Sequence, residues 1–318
     1  MANDDALLGP TVTGVGTACP GIDGDFDRLD ERLGWMTEIG CTHAEIAAVN
    51  LDVVLNGQVH PGRLDVLRGV CAGHRMTYSI HAPIAINLMD EANLDRHVRV
   101  LSACVELCAA IGGSIVVIHP GRVPLSLTPD MPRLLRVERT ALLAVAPKAE
   151  AAGVQIALEN LNPDTSVVSG RMTSYALHPG RVAEQVEAVG HAGVCGVIDF
   201  GHGYLSAGFL GFDLREALVR FAPVVNHLHL QDGFGQPVTM PGMNKAEQFA
   251  YGQGDMHLPL GWGDLDYRAI LPALDLRPDT RMVVELAPRY MAHAPDSVAR
   301  ARALAALVNG SAAASAAR

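Results

Sequence analysis

Lysine is nearly missing from this chain of 318 residues: it has Lys148 and Lys245 alone, against a formal net charge of −10. Nucleic acid is held through many cationic contacts to phosphate, so an acidic chain this poor in ammonium groups is a weak candidate for that partner. Bound cations can reverse the local field of an acidic protein, so net charge disfavours that partner without excluding it. Also absent is any run of about 18 apolar residues, the length a membrane-spanning helix needs. The opening MANDDALLGP is acidic where a secretion signal is basic and then apolar, which makes a soluble cytoplasmic protein the expectation. Six cysteines, Cys19, Cys41, Cys71, Cys104, Cys108 and Cys195, show no CxxC spacing and lie mostly in apolar segments. That pattern argues against a disulfide framework or a thiolate metal site and for reduced core residues. No GxGxxG opens a helix, so an open dinucleotide-binding sheet finds no support.

What is present is 49% hydrophobic and 18% charged, enough for a sizeable core. Eight short apolar runs alternate with longer segments of helical period: TVTGVGTA (11–18), THAEIAAV (42–49), MTYSIHA (76–82), SIVVIHP (114–120), VQIALEN (154–160), VCGVIDF (194–200), VVNHLHL (224–230) and RMVVELA (281–287). Near-continuous Val, Ile and Leu suits strands buried on both faces. Between them, Val98, Leu101, Val105 and Cys108 recur at helical spacing until Gly112 and Gly113, and Pro132 to Ala152 behaves likewise up to Gly153. Eight β-then-α units predict a single (β/α)8 barrel of the TIM type over 1–309, followed by a flexible tail over 310–318. Two connections are long, Leu161 to His178 after the fifth strand and Gln231 to Arg281 after the seventh. In a barrel both rise over the mouth at the C-terminal ends of the strands, where lids and binding loops sit.

Six of the eight expected strands finish in an ionisable residue: His81, His119, Glu159, Asp199, His229 and Glu285. Each alone has an ordinary explanation as a solvated strand end. Together at one barrel mouth, three carboxylates and three imidazoles would be severely unfavourable without cations among them. His202 joins them from IDFGHGY, expected as a turn whose glycines fold the chain back, and Asp255 and His257 join from the loop after the seventh strand. Nine nitrogen and oxygen donors without thiolate suit Zn²⁺, Mn²⁺, Fe²⁺ or Co²⁺, with zinc or manganese first and one to three ions in number. His227, two residues before His229 on the same strand face, and Asp232 are expected to orient the ligands. His43 and Glu45 are candidate substrate contacts, as are Arg171, Ser169 and Tyr175 in the loop after Glu159.

In order along the chain, HAPIAINL, VVIHPGR, IALEN, GVIDFGHGY, HLHLQD, DMHLPLGWGDLD and VVEL resemble the xylose-isomerase-like TIM barrels, the superfamily that joins endonuclease IV to the sugar phosphate isomerases and epimerases. The endonuclease side of the resemblance implies three metals: one on His81, His119 and a bridging Glu159, a second on Glu159, Asp199, His229 and Glu285, a third on His202, Asp255 and His257. The isomerase side implies a single metal on Glu159, Asp199, His229 and Glu285, with Glu159 and Glu285 exchanging a proton as base and acid, and with His81, His119, His202, Asp255 and His257 free to bind substrate hydroxyls. The endonucleases carry an aromatic wedge three positions after the first histidine, where this chain has Ile84. With the scarcity of cations, that departure favours an isomerase, epimerase or lyase of a polyhydroxylated small molecule. A metal-dependent phosphodiesterase acting on abasic DNA is the alternative, and a homo-oligomer is a candidate assembly. The segment between Gln231 and Asp255, with Phe, Tyr, Met and Pro but little positive charge, is expected to form a lid.

Overall fold

The computed structural model describes residues 10–240 and 242–316. The MANDDALLGP opening up to residue 9, position 241 within the expected lid, and 317–318 lie outside them. Eight parallel strands close into one barrel: β1 (Val12–Ala18), β2 (His43–Ala47), β3 (Thr77–His81), β4 (Ile115–Ile118), β5 (Gln155–Glu159), β6 (Val194–Asp199), β7 (Val225–Leu230) and β8 (Thr280–Val284), each bonded to its sequence neighbours and β8 to β1. All eight lie where the apolar runs predict. The chain is thus a (β/α)8 barrel, in which each right-handed crossover returns the chain beside the strand before it.

The helices that cover the barrel include α1 (Phe26–Glu38), α2 (Pro61–Ala72), α3 (Leu94–Ala110), α4 (Met131–Ala151) and α5 (Pro179–Val189). Further along come α6 (Phe200–Leu210), α7 (Leu214–Phe221), α8 (Lys245–Tyr251) and α9 (Ala294–Ala316). Of the stripe expected on α3, Leu101, Val105 and Cys108 are buried and Val98 is half-buried against the core, with Cys104 buried beside them. The last helix runs on to Ala316, so the described part of the stretch expected as a tail is helical. No helix among the described residues is long and apolar enough to cross a membrane.

Because side chains alternate along a strand, every second residue points into the barrel. Below Glu159 and Asp199, the inward side chains Ile115, Val117, Ala157, Cys195 and Val197 of β4, β5 and β6 form their own buried apolar cluster. Across the barrel they are polar: His43 and Glu45 on β2, Thr77 and Ser79 on β3, His227 and His229 on β7. The pairing of β1 and β2 is close enough that a Cβ on Gly16 would sit 1.6 Å from the His43 carbonyl oxygen, so only glycine fits there.

The mouth loops are knitted to one another. The loops after β4 and β5 share a two-stranded ribbon, Val123–Pro124 against Met172–Thr173. Arg122 pairs with Asp164 across the same junction. The long loop after β7 carries α8, whose start is fixed by a capping box between Asn244 and Glu247.

Candidate active site

His229 sits at the end of β7 with no exposed surface. Its Nδ1 is 3.4 Å from Glu159 Oε1, 3.5 Å from Glu285 Oε1 and 4.0 Å from Asp199 Oδ2, and no hydrogen bond engages it. Three carboxylates from β5, β6 and the residue after β8 therefore surround one imidazole nitrogen. Behind the ring, His229 Nε2 is 3.0 Å from Glu45 Oε1. Asp199 is braced by Asn160, whose Oδ1 accepts from its backbone N at 2.9 Å and whose Nδ2 donates to its carbonyl at 2.8 Å. It also caps α6, its Oδ1 accepting from His202 N at 2.6 Å.

Two more donor groups flank this one. His81 Nε2 and His119 Nε2 lie 3.5 Å and 3.4 Å from the outer oxygen of Glu159, Oε2, which is buried without a hydrogen-bond partner. His81 is oriented by its Nδ1, 2.9 Å from the Ala82 carbonyl. On the other side, His202 Nε2 and His257 Nε2 lie 3.5 Å and 3.0 Å from Asp255 Oδ2, while Asp255 Oδ1 is buried and unpartnered. His257 reaches back to Glu285 Oε2 at 3.6 Å and holds a left-handed backbone with φ of 47°. That conformation is strained for a residue other than glycine, and such strain gathers at sites the surroundings over-determine. Within each of three groups, His81 with His119 and Glu159, Glu159 with Asp199 and His229, and His202 with Asp255 and His257, the donor atoms all lie within 4.8 Å of one another.

The electrostatics follow from burial and crowding. Burial raises Asp199, and with the nearby Glu159 and Glu285 carboxylates its value is pushed to about 6 despite His202. Burial alone would depress His81 and His257, yet the carboxylates hold each up to about 9, Glu159 foremost for His81 and Asp255 for His257. Burial acts to raise Glu159 and Asp255, but the imidazoles around each outweigh it and hold both well below the usual carboxylate range. A cation would relieve this arrangement: unpartnered carboxylate oxygens and imidazole nitrogens converge with no thiolate, a donor set that fits a divalent metal.

The structure brings all nine expected donors to one mouth and sets three other residues apart. His43 is fully buried, its ring nitrogens 2.8 Å from Thr77 Oγ1 and 3.0 Å from Ser79 Oγ, so it cannot touch substrate. Glu45 is likewise buried beneath the mouth, because β2 and β3 pair Glu45 with Ser79 and Ala47 with His81, one layer above. Tyr175 donates to the buried Glu138 at 2.6 Å rather than facing the opening. Arg171 and Ser169 are exposed and bonded to each other, Nε to Oγ at 3.1 Å. His227 is buried with Nε2 2.9 Å from Glu45 Oε2. Asp232 orients a loop rather than a ligand directly: its carboxylate accepts from Gly233 N and Gly261 N, and its backbone pairs with Leu258 beside His257.

IDFGHGY is not a turn, as its glycines suggested, but the end of β6 and the start of α6. A Cβ on Gly201 would lie 2.5 Å from Gln231 Cδ, so the glycine makes room for that side chain. Gln231 was not foreseen: its Nε2 donates to both Asp199 oxygens at 3.3 and 3.2 Å, and its Oε1 accepts from His257 N at 3.0 Å. It ties the third donor group to the second. Asn160 was missed as well, although it directly follows Glu159. Over the mouth, Lys245 on α8 donates to the Asp255 carbonyl, and the Arg289 guanidinium stacks 4.8 Å from the Phe249 ring, joining the expected lid to the loop after β8. Ile84 is 70% exposed.

A closed (β/α)8 barrel with histidines and carboxylates gathered at the C-terminal ends of its strands defines the class. The chain belongs to the family described as xylose isomerase-like TIM barrel, whose model matches residues 33–307. No curated protein matches it by sequence. Among solved structures it is similar to a D-tagatose 3-epimerase-like protein (17% identity, TM-score 0.69, 94% of this chain and 99% of that one). It is also similar to a 3-keto-D-glucoside 4-epimerase from E. coli in its apo form (16%, 0.62, 91% and 98%). A third is a xylose isomerase-like TIM barrel protein from Mycobacterium smegmatis in complex with magnesium (19%, 0.63, 93% and 94%). At these identities the likeness is one of fold.

Proposed function

We propose that this chain is a divalent-metal-dependent isomerase or epimerase of a sugar or related polyhydroxylated small molecule, working by proton transfer between Glu159 and Glu285. The observation that carries the reading is the pair of carboxylates themselves. They arise on different strands, Glu159 on β5 and Glu285 just past β8, yet each presents one oxygen within 3.5 Å of the same nitrogen, His229 Nδ1. Glu159, Asp199, His229 and Glu285 would hold the metal. When bound, it would polarise a carbonyl and the neighbouring hydroxyl and so lower the pKa of the C–H between them.

The side chains supply the rest. One carboxylate of the Glu159 and Glu285 pair takes the proton from carbon, and the other, protonated, returns one to the opposite face or to the adjacent carbon, so the charge on the pair is conserved. Glu159, held well below the usual carboxylate range by His229 and His119, is ionised. His81, His119, His202, Asp255 and His257 ring the opening and would grip substrate hydroxyls or hold further ions. Similar structures described as sugar epimerases, and one containing magnesium, support this reading.

The three donor groups, two of which share Glu159, favour a second reading, a multinuclear phosphodiesterase acting on abasic DNA. Against it stand Ile84 where a wedge would be aromatic, two lysines and a net charge of −10. The test runs metal-replete protein against a panel of ketopentoses, ketohexoses and ketoglycosides in D2O, with abasic duplex DNA in parallel. Deuterium gained at the carbon beside a carbonyl, lost in Glu159→Gln and Glu285→Gln, is expected. Incision of the duplex with no carbon-bound deuterium in any sugar would overturn the proposal.

A further inference from the structure

Beneath the mouth, a line of polar side chains starts at the exposed Thr77 and runs through the buried His43, Ser79 and Glu45 toward His229. Thr77 Oγ1 is 2.8 Å from His43 Nδ1, His43 Nε2 is 3.0 Å from Ser79 Oγ, and Ser79 Oγ donates to Glu45 Oε2 at 2.8 Å. The same Glu45 oxygen is 2.9 Å from His227 Nε2, and the other, Oε1, is 3.0 Å from His229 Nε2. One arrangement of protons satisfies the hydrogen bonds from Thr77 to Glu45. Ser79 spends its proton on Glu45, so its oxygen accepts from His43 Nε2–H, and His43 Nδ1 accepts from the Thr77 hydroxyl. A carboxylate buried this completely is tolerable only with such donors around it.

The consequence lies at His229. Carboxylate oxygens stand close to both sides of its ring: Glu45 at Nε2, and Glu159, Glu285 and Asp199 at Nδ1. A proton on Nε2 makes the contact with Glu45 attractive; without it, two lone pairs would face each other at 3.0 Å. That placement leaves Nδ1 with its lone pair directed at the mouth carboxylates, the form of imidazole that ligates a metal. The Nε2 to Glu45 approach is close, at 3.0 Å, without meeting the geometry of a hydrogen bond.

We infer that Glu45 is a positioning residue that holds His229 in the Nε2–H tautomer, with Nδ1 turned to the mouth, and that Ser79 and His227 hold Glu45 in place. Carboxylates behind ligating histidines act this way in general, and their loss weakens metal binding about 10- to 100-fold. The position also accounts for a carboxylate lying one layer below the mouth, out of reach of substrate. This inference rests on the metal reading of the site proposed above.

Metal-stripped wild type and Glu45→Gln are titrated with Mn²⁺ and with Zn²⁺, and folding is checked by circular dichroism. Glu45→Gln keeps the shape but presents an amide in place of one oxygen, and about 10- to 100-fold weaker binding is expected. A folded Glu45→Gln that binds both ions as tightly as wild type overturns the inference alone, whereas wild type that binds neither overturns it together with the metal reading. The second measurement needs no stable Glu45 variant. Wild-type protein with ¹⁵N-labelled histidine, its His229 signals assigned with His229→Gln, should show the ring proton on Nε2. A metal-loaded protein in which Nε2 of His229 carries no proton contradicts the inference.

Discussion

At the scale of single residues, the nine donors are legible in the sequence because six close apolar strands and His202, Asp255 and His257 lie in the segments that follow β6 and β7. A (β/α)8 barrel converts that position into convergence. Depth is not legible. Glu45 reads like a rim residue from its place near the end of β2, and only the register that pairs it with Ser79 shows it to be buried. Gln231 and Asn160 escape notice for another reason: an amide that braces two ligands has nothing in its local sequence to distinguish it from any loop polarity. Two predictions belong here. Burial pushes the thiols of Cys19, Cys41, Cys71, Cys104, Cys108 and Cys195 up to about 12. A thiol reagent at neutral pH should therefore label less than one cysteine per native chain within minutes and all six once the protein is unfolded. In the metal-free protein His81 and His257 are held up to about 9, so both are protonated at neutral pH. A divalent ion held by the neighbouring Glu159 and Glu285 would disfavour those protons, so binding measured by calorimetry in buffers of different ionisation enthalpy should release protons at pH 7, and affinity should rise as pH rises toward 9.

At the scale of elements, the strands and main helices are predictable from apolar runs and helical stripes, and all eight strands fall on the segments expected, β8 starting one residue early at Thr280. The mouth loops are not, because their structure depends on contacts between loops distant in sequence. Glu138 on α4 shows this most clearly. Its Oε1 accepts from Gly121 N at 2.8 Å, and its Oε2 accepts from Tyr175 at 2.6 Å and from Gln185 Nε2 at 3.0 Å, so one buried carboxyl joins the loops after β4 and β5 to α5. Burial raises its pKa, against the hydrogen bonds from Tyr175, Gly121 and Gln185. With the folded value above the unfolded one, the native state binds more protons across that interval. Its contribution to stability is then greatest below the ordinary glutamate range and declines as pH rises through the folded value. Glu138→Gln has no such titration. Denaturant unfolding at pH 4.5 and at 7.5 should show the stability difference moving toward the variant at the higher pH, and a difference independent of pH would contradict the assignment. Replacement by alanine leaves Gly121 N and the Tyr175 hydroxyl without their acceptor and should cost about 1 to 3 kcal/mol at either pH.

At the scale of the whole molecule, the barrel interior is divided between an apolar side on β4 to β6 and a polar side on β2, β3 and β7. The polar side leads upward through Glu45 to His229 and so to the mouth. The fold places Glu159 among all three donor groups: its Oε2 faces His81 and His119, while its Oε1 faces His202 and His229. Removing that one carboxylate should therefore disturb metal binding and proton transfer together. Glu159→Gln is expected to lower turnover about 10²- to 10⁴-fold, the range for loss of a general acid or base, or more where the metal is lost too. The central claim is that the mouth is built around a divalent metal, and its most direct test is a metal count. Protein stripped with chelator, reloaded separately with Mn²⁺ or Zn²⁺, freed of loose ions and analysed for metal per chain should retain at least one ion, with Glu159→Gln retaining less. A folded wild-type chain that retains no stoichiometric divalent ion would contradict the account.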